Sequence, residues 1–153
     1  MEKTLYAKNE AEMADLAKKL VNAGLAKLGL VTLGGMLGAG KTTLVKEILR
    51  ALGYQGLVKS PTFTLAEPYQ FGQYSIMHLD LYRLEDPQEI EFLGYREWFS
   101  GNKLVLVEWP EKAHGFLPEP DLNVMIQIQE NRRQILLESG TTAGNLLLEQ
   151  LIT

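Results

Sequence analysis

A run of eight residues constrains the fold of this chain more strongly than any other feature. The segment Gly35-Met-Leu-Gly-Ala-Gly-Lys-Thr42 matches the phosphate-binding loop pattern, G-x-x-x-x-G-K-[ST], at every fixed position. An apolar run, 30–33, precedes the loop, and a run with helical periodicity, 43–52, follows it. A chance glycine-rich turn rarely meets all these conditions. The segment therefore predicts an α/β domain with an anion site at a helix N-terminus.

The residue types in this loop suit a nucleoside triphosphate with magnesium. Glycines let backbone N–H groups turn towards phosphates, the lysine ammonium contacts the β- and γ-phosphates, and the Thr42 hydroxyl is a Mg²⁺ ligand. ATP is predicted rather than GTP, because 102–105 has valine where the guanine-reading N-K-x-D motif has aspartate. The candidate ATP-binding residues of the loop are Gly35, Leu37, Gly38, Ala39, Gly40, Lys41, Thr42 and Thr43.

Composition excludes several other classes of protein. A chain of 153 residues is predicted to form one domain, 1–153. It has no cysteine, which excludes disulfides, thiolate catalysis and zinc ribbons. The net charge of −4 disfavours a free-standing nucleic-acid binder. No apolar run reaches membrane-spanning length and the N-terminal residues are polar, so a cytoplasmic protein without a membrane span is expected.

Hydrophobic periodicity and turn residues predict helices and strands in alternation, followed by a hairpin and a helix. This order indicates a three-layer sandwich of the P-loop type, with a mostly parallel sheet, an added antiparallel C-terminal hairpin and flanking helices. The predicted elements are a strand at 4–7, a helix at 10–28, a strand at 29–33, a helix at 41–52, strands within 54–73 and at 74–80, a helix from Asp86 to before Gly101, a strand at 103–108, hairpin strands at 122–129 and 133–138, and a helix from Thr142 to Leu151.

Two acids follow apolar strands and are candidates to complete the site. Asp80 ends one predicted strand and Glu108 ends another. Ligands gather at the carboxyl ends of parallel strands, so both side chains are expected at the phosphate loop. We expect Glu108 to bind metal together with Thr42, and Asp80 to orient the attacking water or a metal-bound water. Lys41, Asp80 and Glu108 are the predicted catalytic residues.

The segment Ser60-Pro-Thr-Phe-Thr64 lies between the loop helix and the Asp80 strand. Nucleotide-sensing switch segments occupy this position in many such proteins, and Ser60, Thr62 and Thr64 carry hydroxyls that reach phosphate or Mg²⁺. A simple proline turn fits the spacing equally well. Arg83 is open to two interpretations, a cation for transition-state charge or a surface salt bridge. His78 is interpreted as strand core and His114 as a loop residue.

Five short segments together resemble the TsaE (YjeE) family. They are 38–43 (GAGKTT), 58–65 (VKSPTFTL), 78–84 (HLDLYRL), 91–94 (EFLG) and 107–110 (VEWP), and the likeness extends over about 30–145. Members of this family are small bacterial ATPases. They are required for making N6-threonylcarbamoyladenosine at position 37 of tRNAs that read ANN codons. They act with TsaD, which carries the transfer chemistry, and with TsaB.

The resemblance implies specific roles for residues of this chain. It implies an ATP–Mg²⁺ site using Lys41, Thr42 and Glu108, with Asp80 needed for hydrolysis and 60–64 as a switch-like loop. It places Trp109 beside the nucleotide and Arg133 near the adenine. TsaD-like and TsaB-like partners are implied, with tRNA contacted only through the complex. Met36 departs from the family, which often has an acid there.

Two other functions remain open on the residues alone. A small-molecule or nucleotide kinase usually needs an arginine-rich lid, whereas this chain has five arginines and no cluster. A binding module that does not hydrolyse ATP would carry the same phosphate loop. Phosphate release with and without partners separates these possibilities.

Overall fold

The computed structural model describes residues 1–61 and 63–151. It contains a seven-stranded sheet with helices on both faces, which confirms the α/β class. The strands are β1 (Glu2–Ala7), β2 (Leu30–Gly34), β3 (Ala66–Phe71), β4 (Tyr74–Asp80), β5 (Leu104–Glu108), β6 (Leu122–Ile128) and β7 (Arg133–Ser139). The α-helices are α1 (Glu10–Asn22), α2 (Lys41–Ala51), α3 (Tyr95–Trp98) and α4 (Thr142–Gln150). Short 3₁₀ helices cover 25–27, 87–93 and 110–113.

The sheet is mixed, so the expectation of a mostly parallel sheet was only partly correct. The strand order is β1-β7-β6-β2-β5-β4-β3. The four central strands β6, β2, β5 and β4 are parallel, and the outer pairings β1–β7, β7–β6 and β3–β4 are antiparallel. The predicted C-terminal hairpin is confirmed as β6–β7. The N-terminal strand β1 pairs with β7 at one edge of the sheet, and a tight turn joins β3 to β4 at the other. Both pairings are antiparallel, and hydrophobic periodicity along the sequence does not show which strands pair.

Alternation along the central strands divides the core into two layers. Val31, Leu33 and Leu106 pack with α1, α2 and α4 on one face of the sheet. Leu30 and Val105 pack on the other face with α3 and the flanking 3₁₀ helices. A parallel strand covered on both faces is apolar throughout, which explains why β2 and β5 are buried along their whole length.

Glycines shorten two of the predicted helices. The helix expected at 10–28 ends at Asn22, because Gly24 takes a left-handed φ of 104° before the 3₁₀ turn. The helix expected from Asp86 is interrupted by Gly94, with φ 70°, which separates the 3₁₀ helix 87–93 from α3. The predicted starts of these two helical segments agree with the structure, where the side chains of Asn9 and Asp86 accept helix N–H groups. The last helix is capped by Thr141 and ends at Gln150.

No helix within 1–61 and 63–151 has both the length and the apolar character needed to cross a membrane.

Asp121 joins three parts of the fold, and we predict a large loss of stability when it is replaced by alanine. Its carboxylate accepts from the Gly29 and Leu30 N–H groups at 2.7 and 3.1 Å and from the Thr141 hydroxyl at 2.6 Å. Desolvation acts to raise the pKa of Asp121, but these hydrogen bonds outweigh it and hold the pKa below its ordinary value. Removing a charged acceptor with several donors costs about 3 kcal/mol.

Urea unfolding of Asp121→Ala and wild type at pH 7 measures this loss. A carboxyl with a lowered pKa stabilises the fold above its unfolded-state pKa, and the contribution disappears as the pH falls through the folded-state value. The difference between the two proteins should therefore shrink at acid pH. The exposed Asp15→Ala serves as control and should change stability by at most about 0.5 kcal/mol. An equal effect of the two variants at pH 7 would contradict the prediction.

Candidate active site

The phosphate-binding loop connects β2 to α2 and is shaped by glycines. Gly35 has φ 138°, and a Cβ there would lie 2.5 Å from the Ile126 carbonyl oxygen, so a side chain at this position would clash with β6. Gly40, with φ 113°, precedes α2 and makes no side-chain cap. The first N–H groups of α2 have no intrahelical partner and lie at the positive end of the helix dipole. The loop can therefore bind an anion through its backbone.

Lys41 is enclosed at the centre of this loop. Its side chain is only 4% exposed. The ammonium donates to the carbonyl oxygens of Gly35 and, at 3.3 Å, Met36, and lies 3.7 Å from the centroid of the Trp109 ring. Burial lowers the pKa of Lys41, while the nearby Glu108, Glu111 and Asp80 act in the opposite direction. The loop thus holds one cation away from bulk water.

Thr42 and Glu108, which the sequence predicted to bind a metal ion together, are in direct contact. Glu108 is at the end of β5, beside Leu33 of β2, and is 2% exposed. The Thr42 hydroxyl lies 3.0 Å from each carboxylate oxygen. Adjacent oxygens around an octahedral Mg²⁺, each about 2.0–2.1 Å from the ion, are separated by about 2.9 Å. A hydroxyl and a carboxylate at this spacing fit Mg²⁺.

The pair does not form a complete metal cage. Within the described part of the chain, no group of three histidine, cysteine or acidic side chains could hold a metal ion. Mg²⁺ in proteins commonly has one or two carboxylates, with phosphates and waters as the other ligands. The donor set therefore suits a magnesium–nucleotide complex better than a free ion.

Asp80 lies beside Glu108, because the two residues are register partners in the parallel pairing of β4 and β5. Burial raises the pKa of Asp80; the Tyr82 N–H, 3.1 Å from Oδ1, opposes the shift, and Glu108 adds to it. The two carboxylates predicted from strand ends are thus together at one edge of the sheet. Their environments differ, because Glu108 is bonded to Thr42 whereas Asp80 accepts from backbone.

His78 belongs to this group of side chains, although its sequence suggested only strand core. It is completely buried, as expected, but its Nε2 lies 2.6 Å from Glu108 Oε2. A signal was present in the sequence. Alternate residues of a strand share a face, so His78 lies on the same side as Asp80, two positions later. The partner strand that brings Glu108 to it could not be read from that pattern.

A cavity of about 320 Å³ opens beside the loop and contains the predicted catalytic residues. Trp109 has a left-handed φ of 59°, and its ring packs on Tyr82 with 5.0 Å between centroids. The Arg83 guanidinium lies over the Phe63 ring at 4.6 Å. The lining includes Leu37, Lys41, Thr42, Ser60, Asp80, Tyr82, Arg83, Glu108 and Trp109.

A second cavity, of about 250 Å³, also borders the loop and is lined by Gly38, Ala39 and Gly40. Arg133 lines it and donates from Nε to the Ala39 carbonyl oxygen at 3.1 Å. Lys8, Asn9 and Met13 also line it, although their sequence indicated only a helix start. They reach the loop because β1 pairs with β7, with Ala7 opposite Arg133. This long-range pairing leaves no local signal.

The switch-like segment reaches the site at one end. Ser60 lines the larger cavity, whereas Thr64 is exposed and its hydroxyl donates to Glu67 at 3.0 Å. Thr62 lies outside the described residues. The segment is connected to the site through the backbone, because the Asp80 N–H donates to the Leu65 carbonyl oxygen at 3.0 Å.

Comparison with known proteins gives consistent matches. The family described as threonylcarbamoyl adenosine biosynthesis protein TsaE matches residues 7–135. A Haemophilus influenzae protein named tRNA threonylcarbamoyladenosine biosynthesis protein TsaE is 43% identical over 149 residues, covering 95% of this chain and 94% of that protein. A Bacillus subtilis protein of the same name is 38% identical over 145 residues, covering 94% and 89%. The crystal structure of Bacillus subtilis YdiB superposes with a TM-score of 0.83 and 31% identity, covering 99% of this chain and 94% of that one.

Proposed function

Because this chain belongs to the TsaE family, we propose that it is the ATP-hydrolysing subunit of tRNA threonylcarbamoyladenosine biosynthesis. It supports a cytoplasmic TsaD–TsaB-like complex that forms the modification at position 37 of tRNAs reading ANN codons. One observation carries the proposal of an ATPase. The Thr42 hydroxyl and the Glu108 carboxylate lie 3.0 Å apart beside a buried lysine, at the mouth of a phosphate-binding loop.

The nucleotide is held by the loop on the side of α2. The β- and γ-phosphates accept from the loop N–H groups and from Lys41, whose ammonium is already confined there. We assign the base to the cavity lined by Lys8 and Arg133, which supports this proposal by bordering the loop at Gly38 and Gly40. Thr42 and Glu108 would hold Mg²⁺, which neutralises charge on the phosphate oxygens during transfer.

Asp80 supplies the group that orients water. Asp80 is the register partner of Glu108, but its carboxylate accepts from the Tyr82 N–H rather than from the Thr42 hydroxyl. Asp80 also lines the larger cavity, so its carboxylate can contact a water molecule there. Its raised pKa makes it a better proton acceptor than an ordinary aspartate. We assign Asp80 to the attacking water and Glu108 to the metal.

Hydrolysis by the isolated chain is expected to be slow. Lys41 is the buried cation at the loop, and the Arg83 guanidinium is engaged over the Phe63 ring. Few positive groups of this chain are therefore available to stabilise the negative charge that develops on the γ-phosphoryl group. A partner can supply an arginine, which adds on the order of 10³–10⁵ in rate, or can order the 60–64 segment around the metal. The net charge of −4 agrees with tRNA being held by the partners.

The proposal is tested by measuring phosphate release from the chain alone, with a TsaD–TsaB-like pair, and with the pair plus tRNA. We expect slow release alone and a rise of about tenfold or more with the pair. The pair without the chain, and the pair with the Lys41→Ala chain, provide the background. Modified adenosine in the tRNA should depend on the chain in the same reactions.

Two results would contradict the proposal. If the isolated chain hydrolyses ATP at its full rate and the partners add nothing, the regulated ATPase is wrong. Transfer of the γ-phosphoryl group to a small acceptor in place of water would support the kinase alternative.

A further inference from the structure

The proposed chemistry does not use the contact between His78 and Glu108. Both side chains are buried, at 0% and 2% exposure, and Nε2 lies 2.6 Å from Oε2. A buried polar side chain costs free energy unless it is bonded, and an apolar residue would fill a plain core position better. The position of His78 therefore calls for an explanation beyond packing.

The surroundings of the two imidazole nitrogens of His78 indicate the direction of this hydrogen bond. A carboxylate that binds a metal ion is ionised and only accepts, so in the metal-binding form of Glu108 the proton of the contact is on His78 Nε2 and is donated to Oε2. Nδ1 has no hydrogen-bond partner among the described residues. The ring is thus committed to Glu108 through one nitrogen, as a donor.

Glu108 needs such a donor to keep its orientation. Asp80 is its register neighbour, and two carboxylates side by side repel each other. The Thr42 hydroxyl is 3.0 Å from both Oε1 and Oε2, so it does not select a rotation of the carboxylate. His78 contacts Oε2 alone, from the β4 side. It therefore distinguishes the two oxygens and leaves Oε1 without a contact to the histidine.

We propose that His78 is a positioning residue for Glu108: its Nε2–H holds Oε2, so that the carboxylate presents its other oxygen beside the Thr42 hydroxyl in the geometry of a Mg²⁺ ligand. The inference rests on the proposed function, since it takes Thr42 and Glu108 as the magnesium pair. The proposal predicts that His78 affects the affinity for Mg²⁺ and does not affect binding of phosphates by the loop. Partners that orient metal ligands typically contribute about 10–100-fold in metal affinity.

The test compares His78→Leu and His78→Gln with wild type in calorimetric titrations of ADP at increasing Mg²⁺ and in EDTA. His78→Leu should raise the Mg²⁺ concentration for half-maximal effect by about 10–100-fold and leave ADP affinity in EDTA within about twofold. His78→Gln retains an N–H donor near the position of Nε2 and should restore most of the Mg²⁺ dependence. Thermal unfolding establishes that each variant is folded.

The chain offers a matched control, because its second histidine, His114, is exposed and lies outside the site. His114→Gln should bind Mg²⁺ and ADP as wild type does. A folded His78→Leu with an unchanged Mg²⁺ requirement overturns the proposal. Equal losses of ADP affinity with and without Mg²⁺, or a glutamine variant no better than leucine, assign His78 a structural role and also overturn it.

A second measurement needs no nucleotide. Two-bond ¹H–¹⁵N correlation spectra of the labelled chain report which imidazole nitrogen carries the proton, and His114→Gln removes the other histidine from the spectrum. We expect the Nε2–H form for His78; a ring protonated at Nδ1 alone overturns the inference. If wild type shows no nucleotide binding at all, the proposed function fails, while this spectrum still decides the His78–Glu108 hydrogen bond.

Discussion

Replacing Lys41 with alanine is expected to lower nucleotide affinity and phosphate release by about a hundredfold or more. The substitution removes the buried cation of the loop, which lies between the Gly35 and Met36 carbonyls and the Trp109 ring. A charge-assisted hydrogen bond to phosphate contributes about 1.5–3 kcal/mol, and about 3 kcal/mol corresponds to a factor of about 10². Equilibrium titration with Mg-ADP and steady-state phosphate release measure the two effects.

Lys46→Ala is the matched control for this variant. Lys46 is on the same helix, α2, but is exposed. Its removal takes away one positive charge without touching the loop, so binding and release should stay near the wild-type values. Unchanged affinity and release in folded Lys41→Ala would exclude a phosphate-binding role for the loop.

Asp80→Asn and Glu108→Gln are expected to separate the two carboxylates by function. Each substitution removes a charge and keeps the shape of the side chain. Glu108→Gln should reduce the Mg²⁺ dependence of nucleotide binding, because the carboxylate is bonded to the Thr42 hydroxyl. Asp80→Asn should leave binding largely intact and slow hydrolysis by about 10²–10⁴, the range for removing a general base.

The comparison requires both readouts on the same proteins, namely calorimetric binding with and without Mg²⁺ and phosphate release in the activated complex. Glu111 is an exposed acid whose charge acts to raise the pKa of Lys41. Because it is exposed, Glu111→Gln should change neither Mg²⁺-dependent binding nor phosphate release by more than about twofold. If the aspartate variant lost Mg²⁺ dependence and the glutamate variant kept it, the two roles would be exchanged. If both variants kept the Mg²⁺ dependence of binding and the rate of phosphate release, neither acid would take part in the chemistry.

Local sequence signals predicted most elements and several of their ends. The strand 74–80 was correct at both ends, and Asn9 and Asp86 cap their helices as the residue types indicate. The errors occurred where glycine changes the backbone, as at Gly24 and Gly94, whose left-handed conformations end helical segments that the apolar spacing alone would continue. Periodicity reports which residues face the core, whereas the backbone at a glycine decides where the helix ends.

The site shows the same division. The order of β2, the loop and α2 follows from residues 30–52, because a phosphate loop is built from consecutive residues. Asp80 and Glu108 could be expected at the same edge because parallel strands carry their ends together. Arg133 and Ala39, by contrast, are separated by 94 positions, and their hydrogen bond depends on β7 reaching the sheet beside the loop.

By itself, the amino-acid sequence determined the α/β class, the phosphate loop, the two strand-end acids and the resemblance to the TsaE family. These depend on residue type and short spacings, which act before the chain is folded. Only the tertiary structure decided that the sheet is mixed, that Lys8 and Asn9 line a cavity beside the loop, and that His78 contacts Glu108. Those features require the pairing of distant strands, and strand pairing is set by the energy of the whole sheet rather than by any one segment.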